Sequence, residues 1–173
     1  MPNKELIYKI LEKYWGYTGF RELQEDIIMS VLEGHDTLGL MPTGGGKSIT
    51  FQVPTLAMDG LAIVITPIIS LMKDQVDNLR ERGIKATYLH SGLTISERRK
   101  AIERCTNGNY KFLYISPERL GSDSFIEQLK HMNVCLIVVD EAHCISQWGY
   151  DFRPSFLKIA DIRNVKPRVP VLA

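Results

Sequence analysis

Thr37-Leu38-Gly39-Leu40-Met41-Pro42-Thr43-Gly44-Gly45-Gly46-Lys47-Ser48 sets a short apolar run, a glycine-rich turn and a Lys-Ser pair in immediate succession. The run Thr37–Met41 is too short for a helix and predicts a buried strand. Ile49 opens an apolar helix on the other side of the turn. A glycine-rich turn between strand and helix aims several backbone N–H groups at one point, and the helix N-terminus adds the positive end of its dipole. Such a nest suits a polyphosphate. Lys47 is then spaced to reach the β- and γ-phosphates, and the Ser48 hydroxyl to hold Mg²⁺. The strict phosphate-loop motif has Gly where Met41 stands, so Thr43, Gly44, Gly45 and Gly46 must supply the turn. That departure points away from small GTPases and nucleoside kinases.

Outward from this loop the same alternation repeats. Short runs rich in Val, Ile and Leu occur at Leu61–Ile65, Ala86–Leu89, Lys111–Ile115, Val134–Val139 and Val169–Leu172. Their length and composition predict strands buried on both faces. Helical periodicity separates them. Leu6, Ile7, Ile10 and Leu11 mark one apolar stripe over Glu5–Tyr14, and Leu23, Ile27, Ile28, Val31 and Leu32 mark another over Arg21–Leu32. Ile69–Arg82 stops at Gly83, and Thr94-x-x-Glu97 is a capping box opening a helix that runs toward Asn107-Gly108. Strand–helix–strand alternation predicts right-handed parallel crossovers. The fold class is therefore α/β, a mainly parallel sheet in three layers, with ligands at the carboxyl ends of its strands.

Composition narrows the partners. The 173 residues carry 21 Lys plus Arg against 20 Asp plus Glu, a net charge of +1, which argues against a binder working by bulk positive charge. An apolar fraction of 45% with 24% charged residues is globular, and a chain of this length buries a core without disulfides. Cys105, Cys135 and Cys144 form no Cys-x-x-Cys pair and read as reduced thiols. The N-terminus lacks a signal-like apolar stretch, and no apolar run is long enough to span a bilayer, so a cytoplasmic protein without a membrane partner is expected.

Val134–Val139 ends in Asp140-Glu141-Ala142-His143. An acidic residue at the carboxyl edge of such a strand faces the crevice that the phosphate loop also faces. Asp140 is placed to share the Mg²⁺ of Ser48, and Glu141 to orient or deprotonate an attacking water. By itself Asp140 reads as a solvated strand end. With Gly44–Ser48 upstream the metal reading prevails, because a phosphate cradle without a metal carboxylate cannot readily neutralise transition-state charge.

Together these motifs resemble a superfamily 2 helicase, and the chain from about Tyr14 onward resembles the RecQ family of DNA helicases. Phe20-Arg21-x-x-Gln24 is similar to that family's adenine-recognition motif, which implies Gln24 on the adenine edge with Tyr17 and Arg21 stacking on its faces. Thr66-Pro67-Ile68-Ile69-Ser70-Leu71 resembles motif Ia, and Ser116-Pro117-Glu118-Arg119 a later nucleic-acid-contacting motif. Cys144-Ile145-Ser146-Gln147-Trp148-Gly149-Tyr150-Asp151-Phe152-Arg153-Pro154 is similar to the aromatic-rich loop that couples DNA binding to ATP hydrolysis. The resemblance implies a RecA-like motor lobe that binds ATP and Mg²⁺ and moves 3′ to 5′ on single-stranded DNA. It implies His143 relaying to Trp148, Tyr150, Phe152 and Arg153. It also implies duplex-junction DNA and a second RecA-like lobe of the same chain as partners, roles in repair and recombination, and nucleoid association in a bacterium. Residues 1–34 are expected to be helices carrying the adenine motif, part of the same lobe as a RecA-like domain over 35–173. Val169–Ala173 looks like a cut within the sheet, and a lobe without its partner is expected to unwind nothing.

Read without the resemblance, several pieces stay open. Arg21 and Gln24 share a helix face and read as solvated. Trp148 and Arg153 suit stacking on single-stranded bases, whereas Phe152 and Phe156 fit a local core equally well. Arg98-Arg99-Lys100 reads as solvated surface, and Met29, Met41, Met58 and Met72 as core filler. A small metabolite kinase and a binding module with little catalysis are the rival functions. No lid with clustered arginines supports the kinase. The binding-module reading stands because this chain shows no finger arginine from a second lobe.

Overall fold

The computed structural model describes residues 4–39, 46–140 and 159–173. Helices α1 (Lys4–Trp15) and α2 (Gln24–Leu32) precede α3 (Lys47–Ala57). Then come β1 (Leu61–Ile65), α4 (Ile69–Glu81), β2 (Ala86–Leu89), α5 (Ile95–Asn107), β3 (Phe112–Ile115), a 3₁₀ turn (Pro117–Gly121), α6 (Asp123–Leu129), β4 (Val134–Val139), α7 (Ile159–Val165) and β5 (Val171–Leu172).

The five strands are all parallel, in the order β2-β3-β1-β4-β5. Thr37 adds a parallel bridge to Leu172. The N–H groups of Thr37 and Gly39 donate to the carbonyls of Val171 and Ala173, each at 2.8 Å. The segment leading into the glycine turn therefore runs beside β5, while Leu40 and Met41 lie outside the described residues.

Apolar side chains leave both faces of the sheet. Ala62, Val64, Phe112, Tyr114, Leu136 and Val138 meet Ile27, Val31, Phe51, Met72, Val76 and Leu79 from α2, α3 and α4. Leu61, Ile63, Ile65, Leu113, Ile115, Ile137 and Val139 meet Ala101 and Cys105 of α5, Phe125 and Leu129 of α6, and Ile162 of α7. Burial on both sides is why these strands read as continuous apolar runs. Ile7, Ile10 and Leu11 of α1 and Ile28 of α2 pack against Val53 of α3, so the N-terminal helices dock onto the helix that follows the glycine turn.

Local signals place most boundaries. The capping box is formed: Thr94 Oγ1 accepts from the Glu97 N–H, and Glu97 Oε1 accepts from the Thr94 N–H, both at 3.1 Å. Gly83 follows α4 at φ 79°. Met72 is buried, with Met29 and Met58 packed beside the core. Cys105 and Cys135 are unpaired, and burial pushes their thiols up to about 12 and about 11.

The expected helix over Arg21–Leu32 needs correction. It begins at Gln24, because Leu23 takes a left-handed φ of 71° and is 48% exposed, outside the core. Arg21-Glu22-Leu23 is instead a turn, closed by the Gln24 N–H on the Arg21 carbonyl at 3.1 Å. Two strands are also shorter than expected, starting at Phe112 and Val171. Pro170 lacks an N–H for a ladder, although its carbonyl accepts from Ile137 at 3.0 Å.

Candidate functional site

Helix α3 starts with Lys47 and Ser48, and its first turn faces the carboxyl end of β4. Lys47 Nζ stands 3.9 Å from Asp140 Oδ1, an ion pair without a close hydrogen bond. Asp140 is only 5% exposed, so the solvated strand end is excluded. Its backbone N–H donates to the Ile65 carbonyl at 2.9 Å, which anchors the carboxylate beside β1. A buried carboxylate and the hydroxyl of Ser48 at the start of α3 are hard oxygen donors of the kind Mg²⁺ takes, usually with phosphate oxygens completing the shell. The cation already beside Asp140 is the Lys47 ammonium, so the pair fits the ion.

A cleft of about 490 Å³ adjoins α3, lined by Leu11, Tyr17, Arg21, Gln24, Gly46 and Ile49 among others. Gln24 holds both its walls. Its Nε2 donates to the Gly46 carbonyl at 3.0 Å, and its Oε1 accepts from the Arg21 N–H at 2.7 Å. An amide carries two donors and two lone pairs, so one of each remains. A remaining donor and acceptor match an adenine edge, which offers an amino group beside a ring nitrogen. Tyr17 is 53% exposed on the same cleft, free to present its ring. Arg21 and Gln24 thus meet through a turn, not as neighbours on one helix face.

The strand register builds a polar row along the carboxyl edge. Ile65 pairs with Ile115 and Val139, and Leu89 pairs with Ile115. The next residues, His90, Ser116, Thr66 and Asp140, therefore stand side by side in that spatial order. Thr66 Oγ1, Ser116 Oγ and His90 Nε2 are buried with no hydrogen-bond partner among the described residues. His90 Nδ1 accepts from the Gly92 N–H at 3.0 Å. Burial first, and then the Lys73 charge, holds the His90 imidazole below its ordinary proton affinity.

Beyond the β2 end of this row lies a second cleft, of about 400 Å³, lined by Leu89, Ile95, Arg98, Arg99, Ile102, Arg119, Ser124 and Gln128. The Nε atoms of Arg98 and Arg119 are shut from solvent without a partner among the described residues. Burial, followed by the Arg98 charge, lowers the proton affinity of Arg119. This corrects the reading of Arg98 as solvated surface: it is half-buried in a cleft shared with the 3₁₀ turn and α6, while Arg99 and Lys100 are exposed. Three arginines lining one cleft call for an anion.

Thr43, Gly44, Gly45, Glu141, His143, Trp148, Tyr150, Phe152 and Arg153 lie outside the described residues, as do Cys144 and Phe156. Sequence reasoning missed His90, Gln52, Gln75 and Tyr114. The last three are polar positions inside amphipathic or apolar stretches, the one signal that marked them. Among the described residues no helix is long and apolar enough to cross a membrane.

The family description "DEAD/DEAH box helicase" matches residues 21–172. The chain belongs to the DEAD/DEAH box helicase family. Within it, the chain is 43% identical over 171 residues to the ATP-dependent DNA helicase RecQ of Haemophilus influenzae, covering 99% of this chain and 28% of that relative. It is 50% identical over 151 residues to the RecQ of Bacillus subtilis, covering 87% of this chain and 26% of the relative. The chain thus spans about a quarter of the length of these curated relatives. A hypothetical ATP-dependent RNA helicase from Sulfolobus tokodaii shares the fold, with a TM-score of 0.71 at 20% identity over 98% of this chain and 49% of that one.

Proposed function

We propose that this chain is the ATP-binding motor lobe of a RecQ-like DNA helicase, coupling ATP hydrolysis to 3′-to-5′ movement on single-stranded DNA and to unwinding. The observation carrying this reading is the approach of Lys47 Nζ to 3.9 Å from the buried Asp140 carboxylate, at the strand edge where the glycine turn meets α3. Residues 1–34 and 35–173 belong to one lobe in this reading, since α1 and α2 share a core with α3.

Gln24 reads the adenine edge, with Tyr17 and Arg21 on its faces. Thr43, Gly44, Gly45 and Gly46 wrap the phosphates, and Lys47 leaves Asp140 to contact them. Ser48 and Asp140 hold Mg²⁺, which when bound neutralises phosphate charge. Glu141 orients the attacking water, and His143 relays to Trp148, Tyr150, Phe152 and Arg153; these roles rest on the resemblance of their motifs. Single-stranded and duplex-junction DNA are the partners, with a second lobe completing the groove. Arg98 and Arg119, at the far end of the same strand edge, support a phosphate contact there.

The test is ATP hydrolysis by the intact protein with and without single-stranded DNA, before and after Lys47→Ala. DNA-stimulated turnover that disappears in the variant is expected. Stimulated turnover persisting unchanged in Lys47→Ala overturns the reading, and phosphoryl transfer to a small metabolite without any response to DNA would favour a kinase.

A further inference from the structure

A chain of side-chain hydrogen bonds crosses the core and ends on Asp140. Gln52 of α3, 6% exposed, donates from Nε2 to the Tyr114 hydroxyl at 3.1 Å. The fully buried Tyr114 of β3 donates that hydroxyl to Gln75 Oε1 at 2.7 Å. Gln75 of α4 directs Nε2 to Asp140 Oδ2 at 3.4 Å. Residues of α3, β3 and α4 and the residue that follows β4 are thereby joined.

The direction of every bond follows from the carboxylate outward. An ionised Asp140 only accepts, so the Gln75 NH₂ must face it. The Gln75 carbonyl oxygen then faces Tyr114, whose single hydroxyl hydrogen must be donated there. The tyrosine oxygen is left as acceptor, so Gln52 must present its NH₂. Removing the Tyr114 hydroxyl leaves Gln75 Oε1 without this donor, so one of the two bonds that hold the amide against the carboxylate is lost. The network therefore holds one orientation of one amide, and through it one oxygen of Asp140, while Oδ1 is the oxygen facing Lys47.

We propose that Gln75 is a positioning residue for Asp140, its amide locked by Tyr114 and Gln52, so that the carboxylate is held ready for the Mg²⁺ of a bound nucleotide. This rests on the proposed nucleotide-binding role. Partners that orient a metal ligand are worth about 10–100-fold in metal affinity when removed. The geometry also ties α4, which begins within the segment resembling motif Ia, to the carboxylate through a side chain rather than through backbone.

The test measures binding of a fluorescent ADP (the N-methylanthraniloyl derivative) by the protein in Mg²⁺ and in EDTA, and reads the ratio of the two affinities. Gln75→Ala suits the α4 helix, and Tyr114→Phe preserves ring volume. Each is expected to reduce the Mg²⁺-dependent gain by about tenfold, leaving the EDTA affinity within about twofold and the circular-dichroism spectrum unchanged. The double variant is expected to lose no more than either single one, since both cut the same link. A wild-type Mg²⁺ gain in Gln75→Ala overturns the proposal, as does an equal loss in Mg²⁺ and EDTA, which marks a merely structural role. Failure of the wild-type protein to bind the nucleotide at all overturns the nucleotide-binding reading, and this one with it.

Discussion

Gln24 and Gly46 meet across 22 residues of sequence: the Gln24 side-chain nitrogen donates a 3.0 Å hydrogen bond to the Gly46 carbonyl. Gly46 caps α3 at φ 76°, and a Cβ added there would stand 2.5 Å from that same nitrogen. Gly46, at the start of α3, and the Gln24 amide at the neighbouring cleft are thus one contact.

Gly46→Ala meets a left-handed backbone that disfavours a side chain, and it displaces the Gln24 amide from its bond to the Gly46 carbonyl. The backbone alone costs about 1–3 kcal/mol. A thermal midpoint several degrees below wild type is expected in a melting experiment, together with loss of nucleotide-dependent stabilisation. Retained stabilisation by ADP would show that the turn relaxes without Gln24.

Gln24→Ala removes one side of the Gly46 bond and the free donor–acceptor pair. Competition binding with ATP and GTP is expected to show a preference for ATP in the wild type that collapses toward parity in the variant. Loss of a paired donor and acceptor is worth about 1–3 kcal/mol of discrimination. A preserved preference would move base recognition away from Gln24.

Arg98→Ala removes one of the three arginines lining the cleft beside α5. Binding of single-stranded DNA by the intact protein is expected to weaken, and the slope of log affinity against log salt to shrink by about 0.7, the value for one phosphate contact on a single strand. The thermal midpoint should stay level or rise, since Arg119 loses a like-charged neighbour. An unchanged slope with weaker binding would point to lost packing instead.

His90 predicts a pH dependence. Its folded proton affinity lies below the ordinary value, chiefly through burial and then through Lys73, while Glu97 and Glu118 act weakly the other way. The unfolded chain therefore takes up the proton more readily. Stability from His90 is full above the unfolded value of about 6.5 and is lost as pH falls below it toward the folded value. Thermal midpoints between about pH 7.5 and about pH 5.5 should decline, and His90→Asn, which keeps an acceptor for the Gly92 N–H, should flatten that decline.

Much of this was legible in the residues. Leu61–Ile65 and Val134–Val139 carry their strand bounds in composition because both faces of each strand are covered, so polarity changes only at the ends. Thr94 and Glu97 announce α5 because a capping box is closed within four residues. Asp140 took its reading from the strand it follows together with Gly44–Ser48 upstream, since alone it reads as a solvated strand end. Leu23 was not, because its apolar character fits the helical stripe while its left-handed backbone is set by the turn that Gln24 closes.

What the sequence by itself determined is local: period, caps, strand ends and the motifs hung on them, all governed by residues a few positions apart. Tertiary structure alone decided which polar groups meet. Arg98 reads as one member of a charge run until the 3₁₀ turn brings Arg119 beside it. Gln52, Tyr114, Gln75 and Asp140 become one network only because the order β2-β3-β1-β4-β5 sets β3 and β4 on either side of β1, with α3 and α4 packed on the same face. Hydrogen bonds and charges act over a few ångströms, and the chain separations they bridge are closed by burial of apolar faces that carry no record of those polar partners.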